Sequence, residues 1–102
     1  MNERLAYLDK WKSSKTKIFS AEGYDVLISD ELGDSVKARY IEIDGNGLLA
    51  RATLWESGDL VVEALDVKSE NHVFQKAFEA PEIFQIDDKL NWWLSEVATY
   101  EH

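Results

Sequence analysis

At 102 residues, the chain has room for one hydrophobic core but not for a second, so residues 1–102 are expected to form a single domain. The absence of cysteine excludes disulfides, thiolate nucleophiles and cysteine-ligated zinc. No apolar segment approaches the roughly 18 residues of a membrane span, and the N-terminus lacks the pattern of a signal peptide. These exclusions predict a cytoplasmic protein with no membrane partner.

Charge is distributed unevenly along the chain, whose formal net charge is −9. Residues 1–17 carry five basic and two acidic side chains, whereas residues 18–102 carry six basic and eighteen acidic ones. Such an acidic body repels nucleic acid and anionic membranes, and it attracts basic protein partners. A negative surface also keeps a cytoplasmic protein soluble, so charge alone leaves both interpretations open.

The N-terminal segment predicts one amphipathic helix from residue 2 to about residue 22. Its apolar side chains recur at helical spacing: Leu5, Leu8, Trp11, Ile18 and Phe19. Lys15 lies in the same stripe, and Gly23 follows as a stop signal. The pair Ser13 and Ser14 is the weakest point of this helix, where a break is possible.

Four to five strands are predicted between this helix and a second, C-terminal one. The first follows Gly23, with Tyr24, Val26 and Ile28 on one face, and the second runs over residues 36–43. Turns rich in acids, glycine and asparagine at residues 30–35, 44–47 and 68–71 separate the strands. Residues 72–79 fit a fifth strand, although the spacing of their apolar side chains also fits a helix.

The third and fourth strands form a β-hairpin over residues 48–67, around which the fold is organised. The two apolar-rich runs flank Glu56-Ser57-Gly58, which predicts a three-residue loop with Gly58 in the left-handed conformation. Three apolar pairs then share one face: Leu54–Leu60, Ala52–Val62 and Ala50–Ala64. Three further pairs lie on the other face: Arg51–Glu63, Thr53–Val61 and Trp55–Asp59. A two-residue turn would instead mix charged and apolar residues on both faces.

The C-terminal segment predicts a helix, with Pro81 in its first turn and Glu82, Asp87 and Asp88 near its positive end. Its apolar stripe is Ile83, Ile86, Leu90, Trp93, Leu94 and Val97. Residues 99–102 are expected to fray. The predicted fold class is α+β: an N-terminal helix, an antiparallel meander of four to five strands and a C-terminal helix, with both helices on one sheet face.

No residue pattern in the sequence predicts a catalytic, cofactor or metal site. The twenty carboxylates could include a general acid–base pair, but acids scattered through turns are typical of solvated surface. The acidic turns lack calcium-loop spacing, and His72 and His102 lack metal-ligand spacing. Nucleophile, phosphate-loop and dinucleotide motifs are missing. The sequence therefore predicts a non-enzymatic protein without a cofactor or metal.

The outer face of the predicted sheet combines aromatic and acidic side chains. Aromatics supply buried area at interfaces, and carboxylates pair with the lysines or arginines of a basic partner. Trp92 lies about 100° from the stripe of the C-terminal helix, as either a partner anchor or a partly buried lid. The predicted partner-binding residues are Tyr40, Glu42, Arg51, Thr53, Trp55, Asp59, Glu63 and Trp92. An ordinary half-solvated sheet face gives the same pattern, so both interpretations remain open.

The hairpin sequence also carries a family resemblance. The segment Ala52-Thr-Leu-Trp-Glu-Ser-Gly-Asp-Leu60 is followed by Glu63-Ala-Leu-Asp-Val67 and lies between the two predicted helices. In this arrangement the chain resembles the TriTu family of small bacterial immunity proteins over most of its length. The resemblance implies the family's fold and a stoichiometric inhibitor that binds the active site of a cognate toxin or an adjacent exosite. It implies no site residues.

Charge and resemblance together lead to a hypothesis about the partner. The chain is expected to inhibit the basic C-terminal domain of a cognate toxin of the polymorphic or contact-dependent type, an RNase or DNase, as a monomer or weak dimer. Nuclease clefts are basic and attract an acidic inhibitor over roughly 10 Å. A second hypothesis is an acidic secretion chaperone, a homodimer that wraps an effector segment. A third is a free-standing mimic of nucleic acid that binds host proteins.

Overall fold

The computed structural model describes residues 1–101, which form three helices and five strands. In chain order these are α1 (Glu3–Ser14), α2 (Thr16–Glu22), β1 (Asp25–Ile28), β2 (Ala38–Gly45), β3 (Leu48–Trp55), β4 (Asp59–Asp66), β5 (His72–Glu79) and α3 (Ile83–Thr99). The strands pair antiparallel in the order β1-β2-β3-β4-β5. The predicted α+β meander is confirmed with five strands, because residues 72–79 pair with β4 rather than forming a helix.

The central hairpin has the predicted loop and register. Leu54 pairs with Leu60, and Arg51 pairs with Glu63 on the opposite face. Gly58 has a φ of +98°, and its N–H donates to the carbonyl of Trp55 at 2.9 Å. This positive φ is the reason that a glycine closes the three-residue loop.

A different loop chemistry closes the β2–β3 hairpin. Gly45 pairs with Leu48, so Asn46 and Gly47 alone form the reversal, with φ of +52° and +72°. Two successive residues at positive φ suit the right-handed twist of adjacent strands, and an Asn-Gly pair adopts this conformation most readily. The predicted reversal at residues 44–47 is therefore confirmed, although β2 begins at Ala38 and not at Val36.

The N-terminal helix is not continuous: it breaks at Lys15, directly after the Ser13–Ser14 pair at which the sequence left a break open. The backbone there has φ −106° and ψ 6°, outside the α-helical region. The Ser14 hydroxyl donates to the carbonyl of Trp11 at 2.7 Å, and the Thr16 hydroxyl donates to the carbonyl of Ser13 at 3.0 Å. Such side-chain bonds to backbone carbonyls weaken a helix interior. The break leaves Ile18 exposed, contrary to prediction, while Phe19 remains in the core.

The C-terminal helix begins two residues later than Pro81, which was predicted to lie in its first turn. Glu82 is the N-cap, and its backbone N–H donates to Gln85 Oε1 at 3.0 Å. This bond satisfies a donor at the start of the helix, so Pro81 ends the connection from β5. The helix continues to Thr99, and His102 lies outside the described residues, so the fraying of the last residues stays a prediction.

The core lies between one face of the sheet and the helices. Trp11 from α1 and Trp93 from α3 are fully buried, with ring centroids 6.1 Å apart. Their indole N–H groups donate to Asn91 Oδ1 at 2.9 Å and to the carbonyl of Glu63 at 3.2 Å. The alanines at positions 50, 52 and 64 are fully buried beneath the helices, as predicted. Both helices thus cover one face of the sheet.

Arg39 is a buried charge that the sequence analysis did not identify. It lies on the core face of β2 with 7 % of its surface exposed. Its guanidinium donates to Asp9 Oδ2 at 2.9 Å, to the carbonyl of Leu5 at 3.0 Å and to the carbonyl of Ser29 at 3.1 Å. These bonds connect α1 to the β1–β2 edge of the sheet, and together they compensate the burial of the charge.

The Arg39–Asp9 pair gives a pH-dependent prediction. The hydrogen bond from Arg39 holds the pKa of Asp9 below its usual value. The pair therefore stabilises the fold at pH values above the usual pKa, and this stabilisation is lost as pH falls through the lowered pKa. Asp9→Asn should lower the free energy of unfolding at pH 7 by about 1 kcal/mol or less, because the carboxylate is 60 % exposed and solvent-screened. Urea titrations at pH 7 and at successively lower pH should show this difference at pH 7 and its decline as pH falls. A difference that does not change with pH would contradict an ionic contribution.

Candidate functional site

The second face of the sheet carries no helix within residues 1–101, because all three helices contribute their buried residues to the core. Strand register places alternate residues of all five strands on this surface, which we call the open face. The open face consists of Asp25, Leu27, Ala38, Tyr40, Glu42, Asp44, Leu49, Arg51, Thr53, Trp55, Asp59, Val61, Glu63, Leu65, His72, Gln75, Ala77 and Glu79. Seven of the eight predicted partner-binding residues lie on it.

The centre of the open face is a row of residues that crosses the whole sheet. Register aligns Leu27, Glu42, Arg51, Glu63 and Gln75 from β1 to β5. Arg51 therefore lies between two carboxylates, as the hairpin register predicted for Glu63. The row places charge at the middle of the sheet and uncharged residues at both edges.

Arg51 is hydrogen-bonded to one of its two acidic neighbours, Glu42. Its Nε donates to Glu42 Oε2 at 3.0 Å, and its guanidinium carbon lies 4.2 Å from the centre of the Tyr40 ring. The hydrogen bond to Glu42 raises the pKa of Arg51 above its usual value. Glu42, Arg51 and Tyr40 thus form a preassembled group in which the charge of Glu42 is already balanced.

Glu63 is the more available carboxylate of the central row. Its side chain is 32 % exposed, compared with 17 % for Glu42. His72 lies beside it, with Nε2 3.9 Å from Glu63 Oε1, farther than a hydrogen bond. A lysine or arginine of a partner can therefore pair with Glu63 without displacing a short contact that Glu63 already makes.

Apolar and aromatic side chains lie on both sides of the central row. Leu49 pairs with Leu65 on one side, and Thr53 pairs with Tyr40 and Val61 on the other. Trp55 and Asp59 are the terminal residues of β3 and β4 at the hairpin end, and Asp59 accepts a hydrogen bond from Ser57 at 2.9 Å. The open face thus combines contact area with carboxylates, as protein interfaces do.

Comparison with known families identifies the chain. The model of the family described as immunity protein TriTu matches residues 6–96. The chain belongs to the TriTu immunity protein family. Immunity is protection against a cognate toxin through binding to it, so toxin neutralisation is the family's role and the toxin is the partner. No curated protein matches the chain.

Trp92 is the predicted site residue that the fold separates from the other seven in this TriTu protein. It projects from α3 against β5, where its ring makes edge-on contacts with Phe74 and Phe78, each at 5.8 Å between centroids. Lys76 Nζ lies 5.3 Å from the centre of the same ring. The structure therefore places Trp92 as a partly buried cover of β5 on the helix side of the sheet.

Two other features bear on the site. Phe84, in the first turn of α3, is 71 % exposed on the helix side, and its position outside the apolar stripe of α3 was the available sequence signal. Among the residues that the structure describes, no cluster of three or more histidine and acidic side chains could hold a metal ion. None of the helices formed by residues 1–101 has the length and apolar character that crossing a bilayer requires.

Proposed function

We propose that this TriTu protein neutralises its toxin by binding the folded toxin domain one to one through the open face. The observation that carries the proposal is the open face itself, which holds seven predicted contact residues on one rigid surface and leaves them accessible. A five-stranded sheet backed by helices holds these side chains in fixed relative positions, so little conformational entropy is lost on binding.

The charge of the open face supports a basic partner. The open face carries one arginine, Arg51, and six acidic side chains: Asp25, Glu42, Asp44, Asp59, Glu63 and Glu79. An enzyme that binds a nucleic acid presents positive charge to the phosphates, and the same charge attracts this face. A nuclease toxin, RNase or DNase, whose substrate cleft is covered by the acidic sheet, is therefore the target that we propose.

Inhibition by occlusion requires no chemistry from the inhibitor. We accordingly propose a non-enzymatic protein without a cofactor, which acts in the cytoplasm against a toxin delivered by neighbouring cells or made by the producer. Aromatic and aliphatic side chains such as Tyr40, Trp55 and Val61 would supply buried area, and the carboxylates would select for positive charge. The activity of the toxin is blocked for as long as the complex persists.

Electrostatic attraction predicts a salt-dependent association rate. Raising the ionic strength from about 0.05 M to about 0.5 M should slow association with the toxin on the order of tenfold, since screening shortens the range of attraction. Stopped-flow mixing measures this rate, and the dissociation rate should change much less. A rate that does not depend on salt would contradict steering by the acidic face.

Co-purification with the toxic C-terminal domain encoded beside this chain tests the proposal as a whole. We expect a one-to-one complex by light scattering, loss of the toxin's activity in vitro and restored growth of cells that express the toxin. Nuclease assays on RNA and on DNA identify the substrate class. Binding to an unfolded effector segment by a tight homodimer, with no binding to the folded toxin, would instead support a secretion chaperone.

A further inference from the structure

Within residues 1–101, no strand pairs with the outer edge of β5. β5 is the last strand in the sheet order and is eight residues long. The N–H of Ala80 donates to the carbonyl of Gly58 at 2.8 Å, which makes that pair hydrogen-bonded. Antiparallel pairs alternate between hydrogen-bonded and non-hydrogen-bonded, so the even residues of β5 bond to β4. The backbone N–H and C=O groups of Gln75, Ala77 and Glu79 therefore point away from the sheet.

Helix α3 supports β5 without covering this edge. Its contacts with the strand include Trp92, whose ring lies against Phe74 and Phe78, and Lys89, whose Nζ lies 4.9 Å from the centre of the Phe78 ring, all on the helix side. Gln75, Ala77 and Glu79 are exposed. An edge of this length with free backbone groups is a template for one more strand.

The two sides of the edge differ in chemistry. On the open-face side, Gln75 pairs with Glu63 and Glu79 pairs with Asp59, so carboxylates lie next to the edge. On the helix side, a groove of about 520 Å³ runs beside it, where the rings of Phe74 and Trp92 lie among polar side chains that include Lys76, Glu96 and Glu101. A strand added here would place alternate side chains against acids and against an aromatic groove.

We infer that the free edge of β5 pairs with an extended strand of the toxin in which basic residues alternate with apolar ones. This inference rests on the proposed function and extends it. The backbone bonds of Gln75, Ala77 and Glu79 provide affinity and register, while the acids and the groove select the side chains. The added strand continues the open face, so the toxin contacts one surface made of both proteins' strands.

A second copy of the chain fits this edge poorly. Two copies each carry a net charge of −9, and pairing would bring their acidic open faces side by side. Lys76 lies near the middle of β5, and the strand has a register shift opposite Ala64 and Leu65. A charged residue and a bulge on an edge strand both hinder pairing between identical strands. A strand of opposite charge is the occupant that these features favour.

Residue-resolved amide exchange of the intact chain tests the inference, with and without one equivalent of a catalytically inactive form of the toxin domain. In the free chain, the amides of Phe74, Lys76 and Phe78 should be protected by β4, and those of Gln75, Ala77 and Glu79 should exchange fast. In the complex, the latter three should slow by at least tenfold. A one-to-one complex in which they still exchange fast would overturn strand addition and leave the proposed function standing. Concentration-dependent protection in the free chain, with the mass of a dimer, would assign the edge to a second copy.

A proline variant gives an independent measurement. Ala77→Pro removes an N–H that points outward, so the ladder with β4 keeps its bonds and edge strands accept proline. Its affinity for the toxin domain should fall at least tenfold, whereas the matched Ala77→Ser, which keeps the N–H, should bind within about twofold of the parent chain. Circular dichroism confirms that both variants fold. Equal affinity for the two folded variants would overturn the inference, and if the proline variant does not fold, amide exchange decides alone.

Discussion

Gly58→Ala is expected to lower the free energy of unfolding by about 3 kcal/mol, for two reasons that both concern the added Cβ. The φ of +98° at Gly58 disfavours any residue with a Cβ, by about 1–2 kcal/mol. A Cβ placed there would also lie 2.7 Å from Pro81 Cα and 2.9 Å from the carbonyl oxygen of Ala80. Relieving this overlap requires movement of backbone between β5 and α3, at a further cost of about 1–3 kcal/mol. Urea denaturation monitored by tryptophan fluorescence measures the loss, and Gly58→Val should be more destabilising still.

Gly23→Ala is the matched control for this prediction. Gly23 ends α2 with a φ of +72°, but a Cβ built there would meet nothing within 4 Å. Gly23→Ala should therefore lower the free energy of unfolding only by the cost of a Cβ at positive φ, about 1 kcal/mol. Equal losses for the two alanine variants would show that the junction with Pro81 is not rigid, and that positive φ alone explains the requirement for glycine in the hairpin loop.

The hairpin could be predicted from sequence because its register depends on local information. A strand has a side-chain period of two, so the three-residue loop keeps the apolar residues of β3 and β4 on the same face, whereas a two-residue turn would not. That register then determined which side of the sheet would receive Arg51, Glu63 and their neighbours. The open face was consequently predictable as a set of residues before any tertiary contact was known.

The features that were missed or left open depend on side-chain contacts that the spacing of apolar residues does not reveal. The break at Lys15 follows from hydroxyl groups that compete for backbone carbonyls, and helical spacing does not detect such competition. The burial of Arg39 depends on acceptors from Leu5, Asp9 and Ser29, which are up to 34 positions away in sequence. Trp92 could be placed outside the stripe of α3, but its contact with Phe74 and Phe78 depends on how far the sheet extends beyond that helix.

The distribution of charge within the central row determines which carboxylate a partner can use. Glu42 is bonded to Arg51, so a partner cation would have to compete with a charge-assisted hydrogen bond that already exists. Glu63 offers a more exposed carboxylate with a longer contact, to His72. If the toxin places a lysine or arginine on the open face, Glu63 is the acid that we expect it to contact.

Glu63→Lys should therefore weaken toxin binding at least tenfold, about 1.4 kcal/mol or more, and change the free energy of unfolding by less than this amount. Glu42→Lys should weaken binding too, but with a larger loss of stability: both substitutions place a lysine opposite Arg51, and only this one also removes the hydrogen-bonded partner of Arg51. Calorimetric titration and urea denaturation of each variant separate the two effects.

Glu22→Lys provides the control, since it makes the same change in net charge at the end of α2, away from the open face. If its affinity loss equals that of Glu63→Lys, the acids act only through the overall field of the protein and the central row is not the contact. If Glu63→Lys alone lowers the affinity, and does so through faster dissociation, the Glu63 carboxylate pairs directly with the toxin, because local charge pairs act on dissociation whereas the overall field acts on association.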